Sequence, residues 1–228
     1  MKNKKVNLEK IDKMALMTFL NVIRLHSDSI LLFNNNSVAS SFYLSVIALE
    51  ELGKIFIITD FLFNSRVNGR FNDIDEPDLN RIFGEDLEEG YFKTFLFSHK
   101  HKQRKVVNIF DNIYKPSNKY FKDLLEGKIE IFKQNSLYVG LKRQNKKIEM
   151  RGRINNPLKF KTILAEKQIV QMQKLLLEMS ISVIKEILTT DSNYIDDFIN
   201  FDFYNDLKNK WQITDKNFLK RMGALEVL

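Results

Sequence analysis

Apolar residues recur at helical spacing along most of the chain. Ile11, Ala15, Leu16, Phe19, Leu20, Ile23, Ile30 and Leu31 form one such series, which predicts a first long helix over about residues 7–33. Asn34-Asn35-Asn36-Ser37 follows. Short polar side chains turn the backbone and satisfy the free N–H groups of a new helix, so a second helix is expected over about 37–63. Two long helices joined by so short a connection imply an antiparallel hairpin. The pattern then breaks over 64–86, where Gly69, Pro77 and Gly84 stand among Asp73, Asp75, Glu76, Asp78, Glu85 and Asp86, as in an exposed insertion. Beyond it the spacing predicts a helix over about 87–113, a shorter one over 118–133, an extended piece over 135–140 and a polar basic stretch to Asn156. Pro157 opens a last long helix over 158–189, since a missing N–H costs nothing in a first turn. Two short helices joined near Trp211 are expected after Asp191. The predicted class is all-α: one antiparallel helical bundle with a long insertion after the second helix and a small extended or hairpin element near 136–153. It forms a single domain over 1–228, with its core at about 7–190 and a C-terminal helical extension at 191–228.

Composition narrows the functional classes. At 228 residues and 44% hydrophobic the chain can bury a sizeable core, and the absence of Cys excludes disulfide scaffolds, thiol catalysis and cysteine zinc sites. The formal charge of +7 favours an acidic partner. The charged, amphipathic N-terminus lacks the apolar run of a secretory signal. The longest uncharged stretch, Ser29 to Leu49, is interrupted by Asn34, Asn35, Asn36, Ser37, Ser40 and Ser41, unlike a membrane span. A soluble cytoplasmic protein is expected, with no membrane partner and no cofactor.

Candidate chemistry begins inside the second helix. Val46-Ile47-Ala48-Leu49 precedes Glu50-Glu51, and Ile55-Phe56-Ile57-Ile58 follows Lys54, so charges are embedded in a segment that is apolar nearly all round. At about 100° per residue, Lys54 lies roughly 40° from Glu50 and 60° from Glu51, within reach of either carboxylate. Gly53 costs about 1 kcal/mol of helix propensity, which close approach of another helix or a ligand would offset. The plain alternative is a surface Glu–Lys pair beside a packing glycine. Against it stands the cost of burying charge, which concentrates such groups at functional sites. In the third helix, His99 and Lys102 share a face, whereas His101 lies about 200° from His99 and is spare. A neutral-range imidazole is the usual general acid–base group, although a solvated basic face explains the same run. His26 reads as a capping or surface residue. Lys142, Arg143, Lys146, Lys147, Arg151 and Arg153 form a second basic run, which with Lys100, Arg104 and Lys105 would make a phosphate-binding groove. P-loop, GxGxxG and HExxH motifs are absent from the sequence.

The order Ala48-Leu49-Glu50-Glu51-Leu52-Gly53-Lys54, an insertion, His99-x-x-Lys102, then Ser136-Leu137-Tyr138-Val139 with Pro157 ahead of a long helix, resembles the AbiV family of abortive-infection proteins over about residues 10–190. That family is related in pattern to the HEPN all-helical nucleases. The resemblance implies a HEPN-like bundle, a homodimer, and arrest of the infected cell through RNA cleavage or another block on translation. It maps the family's acidic pair onto Glu50 and Glu51, its lysine onto Lys54 and its His-x-x-Lys onto His99 and Lys102. Two departures stand out: no Arg precedes any His by four to six residues, with Lys93 the nearest substitute, and Gly140 follows Tyr138-Val139 where an acid is common.

These residue types suit a metal-independent endoribonuclease with Glu50, Glu51, Lys54, His99 and Lys102 as its catalytic set and a dimer groove as its site. The implied partners are RNA or the translation machinery as target, and a phage-encoded protein as activator. The contrasting reading is a non-catalytic helical module that senses a phage protein or blocks translation, with Glu50, Glu51 and Lys54 as a structural ion-pair network. Metal-dependent hydrolysis by Glu50, Glu51 and His99 is a third, disfavoured by the adjacent lysines.

Overall fold

The computed structural model describes residues 5–67, 73–75, 98–110, 119–141, 143–144, 147–148 and 154–189. Among them six α-helices carry the fold: α1 (Leu8–Asn34), α2 (Val38–Val67), α3 (His99–Phe110), α4 (Lys119–Leu125), α5 (Lys128–Leu137) and α6 (Thr162–Thr189). The all-α bundle expected from apolar periodicity is the architecture observed. Asn36 ends α1 in the left-handed region at φ 62°, while the Ser37 N–H reaches the Leu32 carbonyl at 2.8 Å. Asn tolerates that conformation better than most residues, so the chain reverses within a few residues and α2 returns along α1.

α2 is the central helix and packs against α1, α3, α5 and α6. Val46, Leu49, Leu52, Ile55 and Ile58 are fully buried, joined by Phe19 and Val22 of α1, Val106 and Val107 of α3, and Met172 and Leu175 of α6. Most of the α1 series predicted from sequence is in this core, but Leu31 is exposed, since it lies a full helical step around from buried Ile30. The Lys13–Asn34 part of α1 is long and apolar enough to cross a membrane, yet half of it is buried inside the bundle. It also carries buried His26, whose Nε2 donates to Gln173 Oε1 of α6 at 3.0 Å, so this residue is a core histidine and not the expected cap.

Several boundaries differ from the pattern-based expectation. α3 begins at His99, where Ser98 caps it: its Oγ accepts from the His101 N–H at 3.4 Å and its carbonyl from the Lys102 N–H at 3.1 Å, while residues 87–97 and 111–113 of the helix expected over 87–113 lie outside the described residues. The helix expected over 118–133 is broken after Leu125, where Gly127 takes a left-handed φ of 74° and lets α5 start in a new direction. α5 then includes Asn135, Ser136 and Leu137, so extended chain begins only at Tyr138. Pro157 opens a short 3-10 turn (Pro157–Lys159) capped by Asn156, and α6 starts separately at Thr162.

Besides β1 (Lys5–Asn7) and β2 (Asp73–Asp75), which pair with each other, the expected hairpin is present as two nested antiparallel pairs: β3 (Gly140–Leu141) with β6 (Ile154–Asn155), enclosing β4 (Arg143–Gln144) with β5 (Lys147–Ile148). Within the expected insertion, Asp73–Asp75 pairs as a strand with Lys5–Asn7, Val6 opposite Ile74. Residues 64–67 of that expected insertion instead continue α2, while residues 68–72 and 76–86 and the extension at 191–228 lie outside the described residues.

Gly53 sets how near α3 comes to α2. A Cβ built on Gly53 would fall on the carbonyl oxygen of Lys102, and its next neighbours are the backbone carbon and Cα of the same residue. Backbone cannot swing aside like a flexible side chain. Gly53→Ala is therefore expected to destabilise the protein by about 1–3 kcal/mol through overpacking, outweighing alanine's gain of roughly 1 kcal/mol in helix propensity. Urea denaturation decides the sign: a more stable variant would show that the crossing is not close.

Candidate functional site

Where α2 meets α3 and α5, a single carboxylate collects three donors. The Glu50 side chain is 2% exposed, and its Oε1 accepts from Gln103 Nε2 at 2.9 Å and from Lys133 Nζ at 2.7 Å. Its Oε2 lies 2.6 Å from His99 Nδ1. A carboxylate taken out of water costs several kcal/mol unless it is paired and its lone pairs are used. Here α3 supplies an imidazole and an amide, and α5 supplies the counter-ion.

Lys133, 7% exposed, also pairs with Glu130 Oε2 at 2.7 Å, one turn earlier on α5. Burial pulls the Lys133 ammonium down, but the hydrogen bonds and charges of Glu130 and Glu50 outweigh it and the net shift is upward. For Glu130, burial pushes up, while Lys133 and then Gln134 and the His99 charge hold the carboxyl below its ordinary value. The pair is thus held ionised from both sides.

His99 is the member of this cluster that meets solvent, with its side chain 54% exposed. An ionised carboxylate only accepts, so Nδ1 is the donor to Glu50, which leaves Nε2 for another partner. This is the arrangement in which a buried carboxylate fixes the orientation and tautomer of an acid–base imidazole. His101 is directed elsewhere, as expected from its angle on the helix. Burial, then the charges of Arg104 and Lys100, lower its pKa, which keeps it neutral at pH 7.

The five residues expected to act together fall into separate places. Glu50 and His99 are joined, and Lys102 lies on the same side of α3, buried, with no ion pair or hydrogen bond for its ammonium among the described residues. Glu51 and Lys54 are not part of this cluster. Lys54 chooses Glu51, at 3.5 Å, and Glu51 also takes Asn21 Nδ2 of α1 at 3.5 Å. Both line an open trough between α1 and α2. Of the basic residues, Lys100 and Arg104 are exposed, whereas Lys105 is ion-paired with Asp60 of α2. Arg143 stands on β4, and Lys142 and Arg151 lie outside the described residues.

Gln103, Glu130 and Lys133 were not legible as site residues. The available signal was Lys133 in register with Ile129 and Ser136, a cation on the buried stripe of α5. Among the described residues no three His, Asp or Glu side chains stand close enough to hold a metal ion.

A family model described as AbiV, of the HEPN class, matches residues 10–178, which is well over half of the 228-residue chain. No curated protein and no solved structure matches it.

Two outcomes follow from the charge cluster. Lys133→Met leaves Glu50 buried without its counter-ion and is expected to cost about 3–5 kcal/mol, whereas adding Glu50→Gln recovers part of that loss. Urea titration of the two single variants and the double variant reads the coupling, and strict additivity would contradict the pairing. Glu130 has a lowered folded pKa, so its contribution is present above the ordinary 4.5 and is lost as pH falls through the folded value. Thermal melts of wild type and Glu130→Gln should therefore differ most near neutrality and converge as the pH is taken well below 4.5.

Proposed function

The chain belongs to the AbiV family, a HEPN-class family of abortive-infection, antiviral-defence proteins, and from that premise we propose that it is a metal-independent endoribonuclease centred on His99. The observation that carries the reading is the half-exposed imidazole held at 2.6 Å by a buried carboxylate. A histidine that serves only packing needs no such support and does not present its second nitrogen to solvent.

In the proposed reaction His99 Nε2 takes the proton of a ribose 2′-OH. The 2′ oxygen then attacks the adjacent phosphorus, and the bond to the 5′ oxygen breaks. The products are a 2′,3′-cyclic phosphate and a 5′-OH. Glu50 holds His99 and stabilises the imidazolium, with Lys133 and Gln103 holding Glu50. Lys102, near His99 on α3 and without a described counter-ion, is placed in the role of stabilising the phosphorane charge and protonating the leaving oxygen. Lys100 and Arg104 extend the basic surface along the strand. The working form is a cytoplasmic homodimer whose two sites face one RNA, the target being RNA of the translation machinery and the trigger a phage-encoded protein.

A non-catalytic reading draws support from the same cluster, since both oxygens of Glu50 are satisfied as in a structural ion-pair network. His99 separates the two because it is exposed and its loss leaves Lys133 and Gln103 on Glu50. Purified protein in EDTA is expected to produce RNA fragments ending in 2′,3′-cyclic phosphate, and His99→Ala to lose at least about 100-fold in rate while melting close to wild type. Equal cleavage by His99→Ala overturns the assignment. A folded His99→Ala protein that still protects cells from phage would favour the binding module.

A further inference from the structure

The Lys133 ammonium serves two carboxylates. Its Nζ lies 2.7 Å from Glu50 Oε1 and 2.7 Å from Glu130 Oε2. Gln103 Nε2 spans the same two oxygens, at 2.9 Å and 3.4 Å, and Gln134 Nε2 donates to Glu130 Oε1 at 3.1 Å. Two carboxylates against one ammonium leave one negative charge in excess. Glu50 brings that excess to the imidazole, since its Oε2 is 2.6 Å from His99 Nδ1.

The other charges around His99 make the second carboxylate matter. Its own helix carries Lys100, exposed, and Lys102, buried on the same side as His99. α5 contributes Lys133 and Glu130, and α2 contributes Glu50. If Glu130 were uncharged, an imidazolium would set one carboxylate against three ammonium groups, and Lys133 would belong to Glu50 alone. With Glu130 charged, Lys133 is divided and part of the Glu50 charge remains for the ring. Burial by itself would push the Glu130 carboxyl up, but Lys133, Gln134 and the His99 charge together hold it low and ionised. Attraction between two charges is mutual, so a carboxylate that the imidazolium helps to ionise favours the imidazolium in return.

We infer that Glu130 is a positioning residue for proton transfer at His99: by drawing Lys133 away from Glu50, it preserves the counter-charge that the ring needs when it becomes imidazolium. The inference rests on the reading of His99 as the base. When Nε2 takes the 2′-OH proton, the group of Glu50, Glu130, Lys133 and His99 passes from one excess negative charge to none. Both carboxylates are in place before that charge develops, so the step needs no rearrangement of the helices. In this role Glu130 acts through Glu50 and touches none of the reacting atoms.

Imidazole carbon–proton signals of the isotopically labelled full chain test this without RNA. The chain has three histidines, and the signal lost in His99→Ala identifies the one to follow. Glu130→Gln is expected to lower the pH midpoint of that titration by roughly half a unit to one unit, while Glu130→Asp, which keeps the charge, stays within about 0.2 of wild type. In cleavage assays with EDTA, the acid limb of the Glu130→Gln profile should move down by the same amount. Its plateau kcat should fall about two- to fivefold, because a weaker base takes the proton, with KM unchanged. A residue that only steadied Lys133 would lower stability and leave the limb where it is. The inference is overturned by a Glu130→Gln midpoint equal to that of wild type, or by a Glu130→Asp midpoint that falls as far as the Glu130→Gln one. Should Glu130→Gln not fold, the reciprocal measurement decides: the Glu130 carboxyl carbon should titrate at higher pH in His99→Ala than in wild type, and equal midpoints overturn the coupling. The two readings fail separately. A shifted midpoint beside undiminished cleavage by His99→Ala removes the nuclease and keeps the coupling, and an unmoved midpoint beside an inactive His99→Ala does the reverse.

Discussion

Burial of the Glu50 carboxylate is the constraint around which the rest of the site is arranged. A charge at 2% exposure demands donors, and no single helix can supply them, so α3 and α5 must both be in position for the protein to fold at low cost. The donors differ in kind. Lys133 neutralises the charge, Gln103 uses a lone pair without adding charge, and His99 is the one donor that also reaches solvent. What begins as a requirement of folding ends as an oriented imidazole at the surface.

Gly53 is the geometric partner of that electrostatic demand. It lies one turn beyond Glu50 on α2, at the point where the Lys102 carbonyl of α3 would meet a Cβ. Close helix approach shortens the reach from α3 to Glu50, which lets the short His99 side chain complete a bond of 2.6 Å. Ser98 contributes to the same end by capping α3 so that His99 stands in its first turn. A glycine, a serine cap and a buried carboxylate thus act together on one side chain.

Two neighbouring glutamates have different fates for a reason as simple as the helix angle. At about 100° per residue, Glu50 turns to α3 and α5 while Glu51 turns to α1. Lys54 can reach either by its angle alone, but Glu50 already has a buried cation in Lys133, so Lys54 pairs with Glu51 at the partly exposed edge. The chain therefore has the Glu50 cluster, with its exposed imidazole, and the Glu51–Lys54 pair on different faces of one helix.

Much of the architecture was readable from the residues. The apolar series of α1, α2 and α6, the Asn-rich reversal, the hairpin near residue 140 and the unusual charges at Glu50 and His99 are all local patterns, and local patterns are what periodicity and capping chemistry report. The break at Gly127, the cap at Ser98 and the buried place of His26 were less visible, because each depends on what packs against the segment. The pairings were not legible at all. Glu50 with Lys133, 83 residues apart, and Lys54 with Glu51 in preference to Glu50 are choices among acceptors of equal chemistry. Sequence alone determined which residues were costly to bury. Only the tertiary structure decided which partner met each cost, since that depends on helix crossing and distance, and neither is written in the spacing of a single helix.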